Sequence, residues 1–586
     1  MIVIKIKTLV NDSVKSIYNS VKRFPITIGV CVLLVIMLII TNENQSNLSR
    51  ETLKTIQRID MIIALGIPLS LCFKLIFEKK NIINKLNKVF IYIVGIGALA
   101  LYYFYLLKDF STISIIRYIG LNVFLYLGFL YIPWVGNKEH YENYIIKVLG
   151  SFFIVAIYSI VLYLGFSAII FTLNRLFSIN IEGKIYYYMS LFVFVVFMPS
   201  MFLAKIPYNN YDFSKTEYPK ALKILLLYII IPLVTIYTAI LYAYFIKILV
   251  TRNWPEGLVS HLVLWYSTIA VGIIFFIYPL VNKNKLAKIF TFWFPKIIIP
   301  LMIMMFISIG IRIREYGITE NRYFVFVLGL WVLGIMIYFS TAKKLKNIII
   351  PISLSIIALN SVFGPLSSFS ISKYSQNKRF EKILIRNNML IDEKIVRSKT
   401  KISEKNRTET SMILSYFKDK HSLNDVKYLP ENFKIDDMEK IFGFSYTHAI
   451  YGKREYFHFT TNGSKKPIEI NGYDYLINMN SLTNDTVKFG DSKEISYDMD
   501  GKLLKICDSG SIIYEKNIEE YAEAVFNKYK NSSDSSEINI ENMTFEDENE
   551  KVKIKFIFDY ISLESDDNKT IENINDINFH VIFKIK

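Results

Sequence analysis

The chain has 586 residues, 52% of them hydrophobic, and a formal net charge of +17. A soluble globular protein of this length does not carry that apolar load. The excess base is not a nucleic-acid footprint either, because it is confined to one part of the chain. Residues 1–366 hold 35 Lys and Arg against 14 Asp and Glu, and residues 367–586 hold 33 against 37, so the balance reverses near Ser367.

The first 24 residues are basic, and Ile26–Ile40 is apolar. A signal peptide opens in the same way, but no small-residue cleavage site follows. The chain continues TNENQSN, so the segment reads as a retained first span. Ten further apolar runs follow, at about 60–77, 89–107, 115–133, 145–173, 186–204, 220–250, 258–281, 294–311, 322–340 and 347–365. Each is near or above the ~20 residues that a membrane helix needs. The expected fold class is therefore mainly α: a polytopic transmembrane bundle of about eleven spans, followed by an extracytoplasmic α+β domain. Gly95, Gly97, Ala98 and Gly165 lie in apolar surroundings and read as helix-packing positions rather than a nucleotide loop.

Loop charge gives an orientation. With the N-terminus inside, the inner segments (1–23, 74–88, 137–147, 204–223, 282–296, 341–347) carry 23 Lys and Arg. The outer segments (41–59, 108–117, 173–185, 247–257, 310–322) carry 12. That bias puts the N-terminus on the cytoplasmic side of a cell membrane. An odd number of spans then puts the tail outside. The domains expected are a membrane bundle over 1–366, a polar connector over 367–404 and an extracytoplasmic α+β domain over 405–586. Within the last, Ser411–His421 suits a helix, and Asp500-Gly501 suits a hairpin turn. Ile518, Tyr521, Ala522, Val525, Phe526 and Tyr529 form one helical face. Val552, Ile554, Phe556, Phe558 and Tyr560 alternate as in a half-buried strand, as do Ile577, Phe579, Val581, Phe583 and Ile585.

Chemistry is harder to find. The chain has no H-E-x-x-H, G-x-S-x-G or Walker motif, and its three cysteines, Cys31, Cys72 and Cys507, lack metal-ligand spacing. Asp498-Met-Asp-Gly resembles the start of a calcium loop without its later ligands, so a turn explains it better. No cofactor or metal is expected. Charge is absent from the span centres, where a coupled transporter usually keeps a carboxylate. The apolar runs hold only neutral polar groups such as Asn122, Asn174, Asn360, Thr235, Thr238, Tyr237 and Tyr242, which suit helix–helix hydrogen bonding or a substrate path. The candidate site is a polar cluster at the outer face: His261, Arg312, Arg314, Glu315, Glu320, Asn321 and Arg322, with Asp60 and Glu256 nearby in topology. Such a cluster suits an anionic headgroup or glycan, or an acid–base carboxylate. A self-paired interfacial loop in which Glu320 bonds Arg322 or Arg312 is the favoured reading.

Three stretches carry a resemblance. Tyr218–Gly257 (YPKALKILLLYIIIPLVTIYTAILYAYFIKILVTRNWPEG), Arg314–Trp331 (REYGITENRYFVFVLGLW) and Phe363–Leu390 (FGPLSSFSISKYSQNKRFEKILIRNNML) resemble a bacterial family of polytopic membrane proteins, domain-of-unknown-function family 4153 (DUF4153). The resemblance covers roughly residues 150–390, with a weaker match in the tail. It implies a bacterial inner-membrane protein and brings no catalytic residues. Three functions compete on this reading. They are an envelope protein whose outer domain binds a ligand or partner, a transporter or flippase, and a membrane-embedded transferase that needs Glu315, Glu320 or His261 in one pocket. The partners expected are the lipid bilayer and an envelope ligand or protein, and no nucleic acid.

Overall fold

The structure, a computed structural model, describes residues 15–586 except 47, 83, 137–138, 178–180, 209–210, 215, 252–257, 399–401, 448–453, 462–466, 480–485, 500, 531–536 and 567–569. Among the described residues, ten helices are long and apolar enough to cross a membrane. They are α1 (Pro25–Glu43), α2 (Arg50–Lys79), α3 (Lys85–Tyr105), α4 (Thr112–Tyr131), α5 (Tyr141–Phe177), α6 (Lys184–Ala204), α7 (Lys220–Thr251), α8 (Leu258–Ile277), α9 (Lys285–Tyr316) and α10 (Glu320–Thr341). In hydrocarbon each backbone polar group must bond within its own segment, which leaves an apolar run of this length little choice but a helix. Polar residues start the helices: Ser49, Asn84, Ser111 and Asn284 each accept a hydrogen bond from the first turn.

The last apolar run forms a shorter helix, α11 (Ile349–Val362), of 14 residues. At 1.5 Å per residue it covers ~21 Å, less than a ~30 Å hydrocarbon core. Even so, it runs antiparallel to α10 along most of that helix. Three bonds fix the register. The Lys346 amide donates to the Tyr338 hydroxyl (2.6 Å), Trp331 Nε1 to Ser353 Oγ (2.9 Å), and the Tyr323 hydroxyl to the Leu366 carbonyl (2.5 Å). The chain thus returns to the end of α10 that carries Glu320.

Two of the long helices widen into π turns, at Phe192–Phe197 and Leu225–Ile230. Each widening ends two residues before a proline, Pro199 or Pro232. A proline inside an α-helix clashes with the carbonyl four residues earlier, and a π turn relieves that clash. Of the four small residues expected at helix contacts, Gly95 is one: a Cβ there would lie 2.5 Å from the Phe73 ring. Gly97 and Gly165 face open space, and Ala98 is exposed. A further close contact is at Gly120, where a Cβ would meet both methyls of Val362 at 2.7 and 2.8 Å. That close approach seats α11 on α4.

The connecting segments sort into two ends. At one end, Arg23 bonds Glu78 and the carbonyls of Ile206 and Pro207, Asn347 bonds Glu142, and Lys147 lies over the Tyr211 ring. At the other end, Thr41 bonds Asp60, Lys184 bonds Glu43, and Arg58 bonds the Leu107 carbonyl. These pairings follow the alternation that the loop charges predict.

Beyond α11 the chain does not divide where its composition changes. It falls into two compact units that meet at Tyr446/Thr447, not at 404/405. Residues 367–404 are not a free connector. They contain α12 (Ser368–Arg386), whose Phe380, Ile383 and Leu384 share one core with Ile413, Leu414 and Phe417 of α13 (Glu404–Lys420) and with Phe433 and Phe442. The polar composition of α12 conceals an apolar stripe of helical period. A hairpin of β1 (Leu390–Ile391) and β2 (Lys394–Ile395) also belongs to this first unit.

Residues 447–586 form the second unit. The strands of its larger sheet are β3 (Arg454–Thr461), β4 (Tyr475–Asn478), β9 (Glu537–Ile538), β10 (Thr544–Glu548), β11 (Val552–Asp566) and β12 (Ile571–Ile585). They lie in the order β4-β12-β11-β3-β9, with β10 also paired to β11. A second sheet joins β5 (Thr486–Phe489), β6 (Lys493–Asp498), β7 (Leu503–Asp508) and β8 (Ser511–Asn517) in sequence order. Every described ladder is antiparallel except β3 with β9. Ala522, Val525 and Phe526 of α14 (Glu519–Tyr529) are buried, as expected. The β11 alternation holds through Phe558, and then a bulge at Asp559 shifts its phase, so Ile561 and Leu563 are buried in place of Tyr560. The β6–β7 hairpin forms where the Asp-Gly pair predicts it, although Asp500 itself lies outside the described residues.

These cores predict how fragments behave. A chain starting at Thr447 is expected to be soluble and to unfold in urea as one transition, since its core is complete. A chain starting at Lys405 carries Ile413, Leu414 and Phe417 without Phe380 and Leu384, and it is expected to associate. Sedimentation and circular dichroism of both fragments check this. Equal, monomeric behaviour would contradict the shared core.

Candidate functional site

The loop between α9 and α10 is the polar centre of its end of the bundle. Glu320 opens α10 and is buried, at 8% exposure. Its Oε1 accepts from the Tyr416 hydroxyl at 2.7 Å and lies 2.8 Å from His421 Nε2. A carboxylate only accepts, so Nε2 carries a hydrogen there. The Tyr416 oxygen is also 2.9 Å from Nε2, which closes a triangle. His421 Nδ1 is buried without a partner among the described residues. Burial, with the Glu320 carboxylate beside it, pushes the Tyr416 phenol well above its usual range. Both partners come from α13 and its end. Tyr416 in the last turns of α13 and His421 at its C-cap therefore close over the first residue of a membrane span.

The same loop is held by α12. Gln376 Nε2 donates to the carbonyls of Tyr316 (3.1 Å) and Ile318 (3.0 Å), and the Ile318 amide donates to Ser375 Oγ (2.9 Å). Gly317 ends α9 with φ +70°, and a Cβ there would lie 2.9 Å from Gln376 Nε2. Glycine is thus required both by conformation and by the close approach.

The expected pairing of Glu320 with Arg322 or Arg312 does not form. Residues two apart on a helix do not face each other. Arg322 instead donates to the carbonyls of Gly317 (3.0 Å) and Tyr316 (3.4 Å) and lies over the Tyr316 ring. Arg314, Glu315 and Asn321 are exposed, and Arg312 is half-buried. His261 lies elsewhere. With Leu233, Val234, Tyr237, Leu262, Trp265, Tyr266 and Ile269 it lines an apolar groove of about 670 Å³ between α7 and α8. Asp60 is buried at a third place, accepting from Thr41 at 3.0 Å. Glu256 lies outside the described residues. The structure therefore distributes the cluster over separate places, and His261, Glu315 and Glu320 share no pocket or bond among the described residues. No three His, Cys, Asp or Glu among those residues are placed to hold a metal ion.

Most of the neutral polar residues in the spans bond locally. Asn122, Asn360, Thr235 and Thr238 each donate to the carbonyl four residues earlier. Thr238 also pairs with the Tyr266 hydroxyl, and Tyr242 donates to the Ile297 carbonyl of α9 at 2.7 Å. Sequence reasoning missed Tyr416, His421 and Gln376, and also Arg23 at the opposite end. The helix over 411–421 was legible, but nothing in its spacing points to a partner about a hundred residues earlier.

Ten long apolar helices and a shorter eleventh among the described residues, followed by a β-rich unit, define a multi-span integral membrane protein. The chain belongs to the family described as domain of unknown function DUF4153, whose model matches residues 28–394. That span includes the α9–α10 loop and α12 and ends before α13. An uncharacterized protein of Pasteurella multocida (strain Pm70) is 23% identical over 339 residues, which are 56% of this chain and 56% of that relative. The chain thus matches little more than half the length of that relative. No solved structure matches the chain.

Proposed function

We propose that this is a non-enzymatic protein of the bacterial envelope, in which the bundle anchors an extracytoplasmic α+β unit that binds a ligand or protein partner. The observation that carries this reading is the fate of the polar cluster. Glu320 and the Tyr316 and Ile318 carbonyls are engaged in seating α12 and α13, and Arg322 bonds within its own loop. The orientation draws on the charge bias of 23 to 12, and α11 supplies the odd crossing that puts the tail outside. Tags placed before Lys5 and after Lys586 are expected to differ in protease access in intact spheroplasts. Equal protection would remove the odd crossing.

The anchoring role is tested by exchange. Residues 447–586, fused to an unrelated single-span anchor, are expected to restore the envelope phenotype of a strain that lacks the full chain. A second reading, movement of a lipid or small apolar molecule, draws on the α7–α8 groove. Under it the fusion fails and the native bundle is required.

A further inference from the structure

One face of α12 combines exposed cations with exposed apolar side chains. Tyr374, Lys378, Lys382 and Ile385 follow helical spacing along it, with Arg386 at its edge, and all five are exposed. The hydrophobic members are strongly so: Tyr374 is 65% and Ile385 58% exposed. The opposite face is packed, and its flanking charges are neutralised within the unit. Lys373 pairs with Asp425 (2.8 Å), Arg379 pairs with Glu409 (3.3 Å), and Glu381, the single acid of α12, accepts from Tyr428 (2.6 Å). Lys378, Lys382 and Arg386 have no acidic partner among the described residues; Lys378 lies over the Tyr374 ring instead. Three unneutralised cations interleaved with a tyrosine and an isoleucine therefore line one stripe.

Depth matters as much as charge. The Leu366 carbonyl accepts from Tyr323, which lies in the first turn of α10, so the chain entering α12 is still level with a membrane span. Leu366 itself is 68% exposed. Ten residues later Gln376 reaches the carbonyls at the tip of the α9–α10 loop. The helix therefore runs beside the end of the α9–α10 pair, the level at which tyrosine, lysine and arginine side chains spread between apolar and polar surroundings.

We propose that this face of α12 rests on the bilayer, with Leu366, Tyr374 and Ile385 at headgroup depth and Lys378, Lys382 and Arg386 on the phosphates of anionic phospholipids. Attraction to an anionic leaflet is a property of clustered basic residues next to a span. Here it would fix the tilt of α12 and, through Gln376, the loop that α12 clasps.

The test uses the full chain in nanodiscs of phosphatidylcholine alone or with phosphatidylglycerol, each containing a headgroup-nitroxide lipid of the same bulk charge. An environment-sensitive fluorophore is attached at Tyr374→Cys or, separately, at Ile385→Cys, and labelling of Cys507 in the unmodified protein gives the blank. Both labels are expected to be quenched by the nitroxide lipid, severalfold more in the phosphatidylglycerol discs. In the background of Lys378→Gln, Lys382→Gln and Arg386→Gln, that difference should vanish while the melting temperature stays unchanged. Labels that iodide quenches and the nitroxide lipid does not would overturn the proposal. Labels shielded from both quenchers would also overturn it, by assigning the face to a protein neighbour or a second copy. Equal quenching in the two lipids would overturn its anionic part.

Discussion

Arg23→Ala is expected to be the most destabilising single change at the N-terminal end of the bundle. Arg23 is almost fully buried and presents its fork to Glu78, with Nε at 3.1 Å from Oε1 and Nη2 at 2.8 Å from Oε2. Nη1 donates to the Ile206 carbonyl (2.6 Å), Nη2 reaches Pro207, and the guanidinium stacks over Tyr208 at 3.9 Å. One side chain thus ties the segment before α1 to α2 and to the chain after α6. Removing one partner of a buried pair leaves the other charge uncompensated, at a cost of about 3–5 kcal/mol. Lys74, 3.3 Å from Glu78, offsets part of that cost, so the lower figure is expected. Arg23→Lys keeps the charge and loses the fork, and it should recover less than half of the loss. Thermal melts in detergent measure both variants. A double-mutant cycle with Glu78→Ala isolates the pair, and additivity of the two single losses would show that the pair is not coupled.

The second large effect is expected at Glu320. Glu320→Ala leaves the Tyr416 hydroxyl buried without its acceptor and leaves His421 Nε2 only the Tyr416 oxygen at 2.9 Å. Stranding one buried donor costs roughly 1–3 kcal/mol. Glu320→Gln keeps one carbonyl oxygen as an acceptor and should cost about 1 kcal/mol. The loss is local, so hydrogen exchange in α13 and in residues 421–446 should quicken before the spans unfold. Unchanged exchange in Glu320→Ala would remove the clasp from the account. Loss of a cellular activity in Glu320→Gln at full stability would instead make the carboxylate functional. Tyr416 adds a pH dependence. Its folded phenol holds its proton above the usual range, whereas the unfolded phenol releases it near pH ~10. Above that pH the unfolded state binds fewer protons, and stability falls as pH rises.

The sequence by itself determined the solvent of each part of this protein. Apolar runs of bilayer length, separated by basic loops, allow few structures other than membrane helices, and their order and alternation follow without tertiary knowledge. The same holds for the strands around Phe556 and Phe579 and for the face of α14, because a two-residue or 3.6-residue period is a local signal. Tertiary structure decided what period cannot express. The boundary at Tyr446 depends on Phe380 packing with Phe417 across a segment that composition marks as polar. The phase of β11 depends on a bulge that no alternation announces. The partner of Glu320 lies 101 residues away in His421, although two arginines stand closer in sequence. A carboxylate at a helix start is legible as an anchor. Which donor reaches it is set by the path of the chain, since a hydrogen bond requires contact in space and the sequence records only order along the chain.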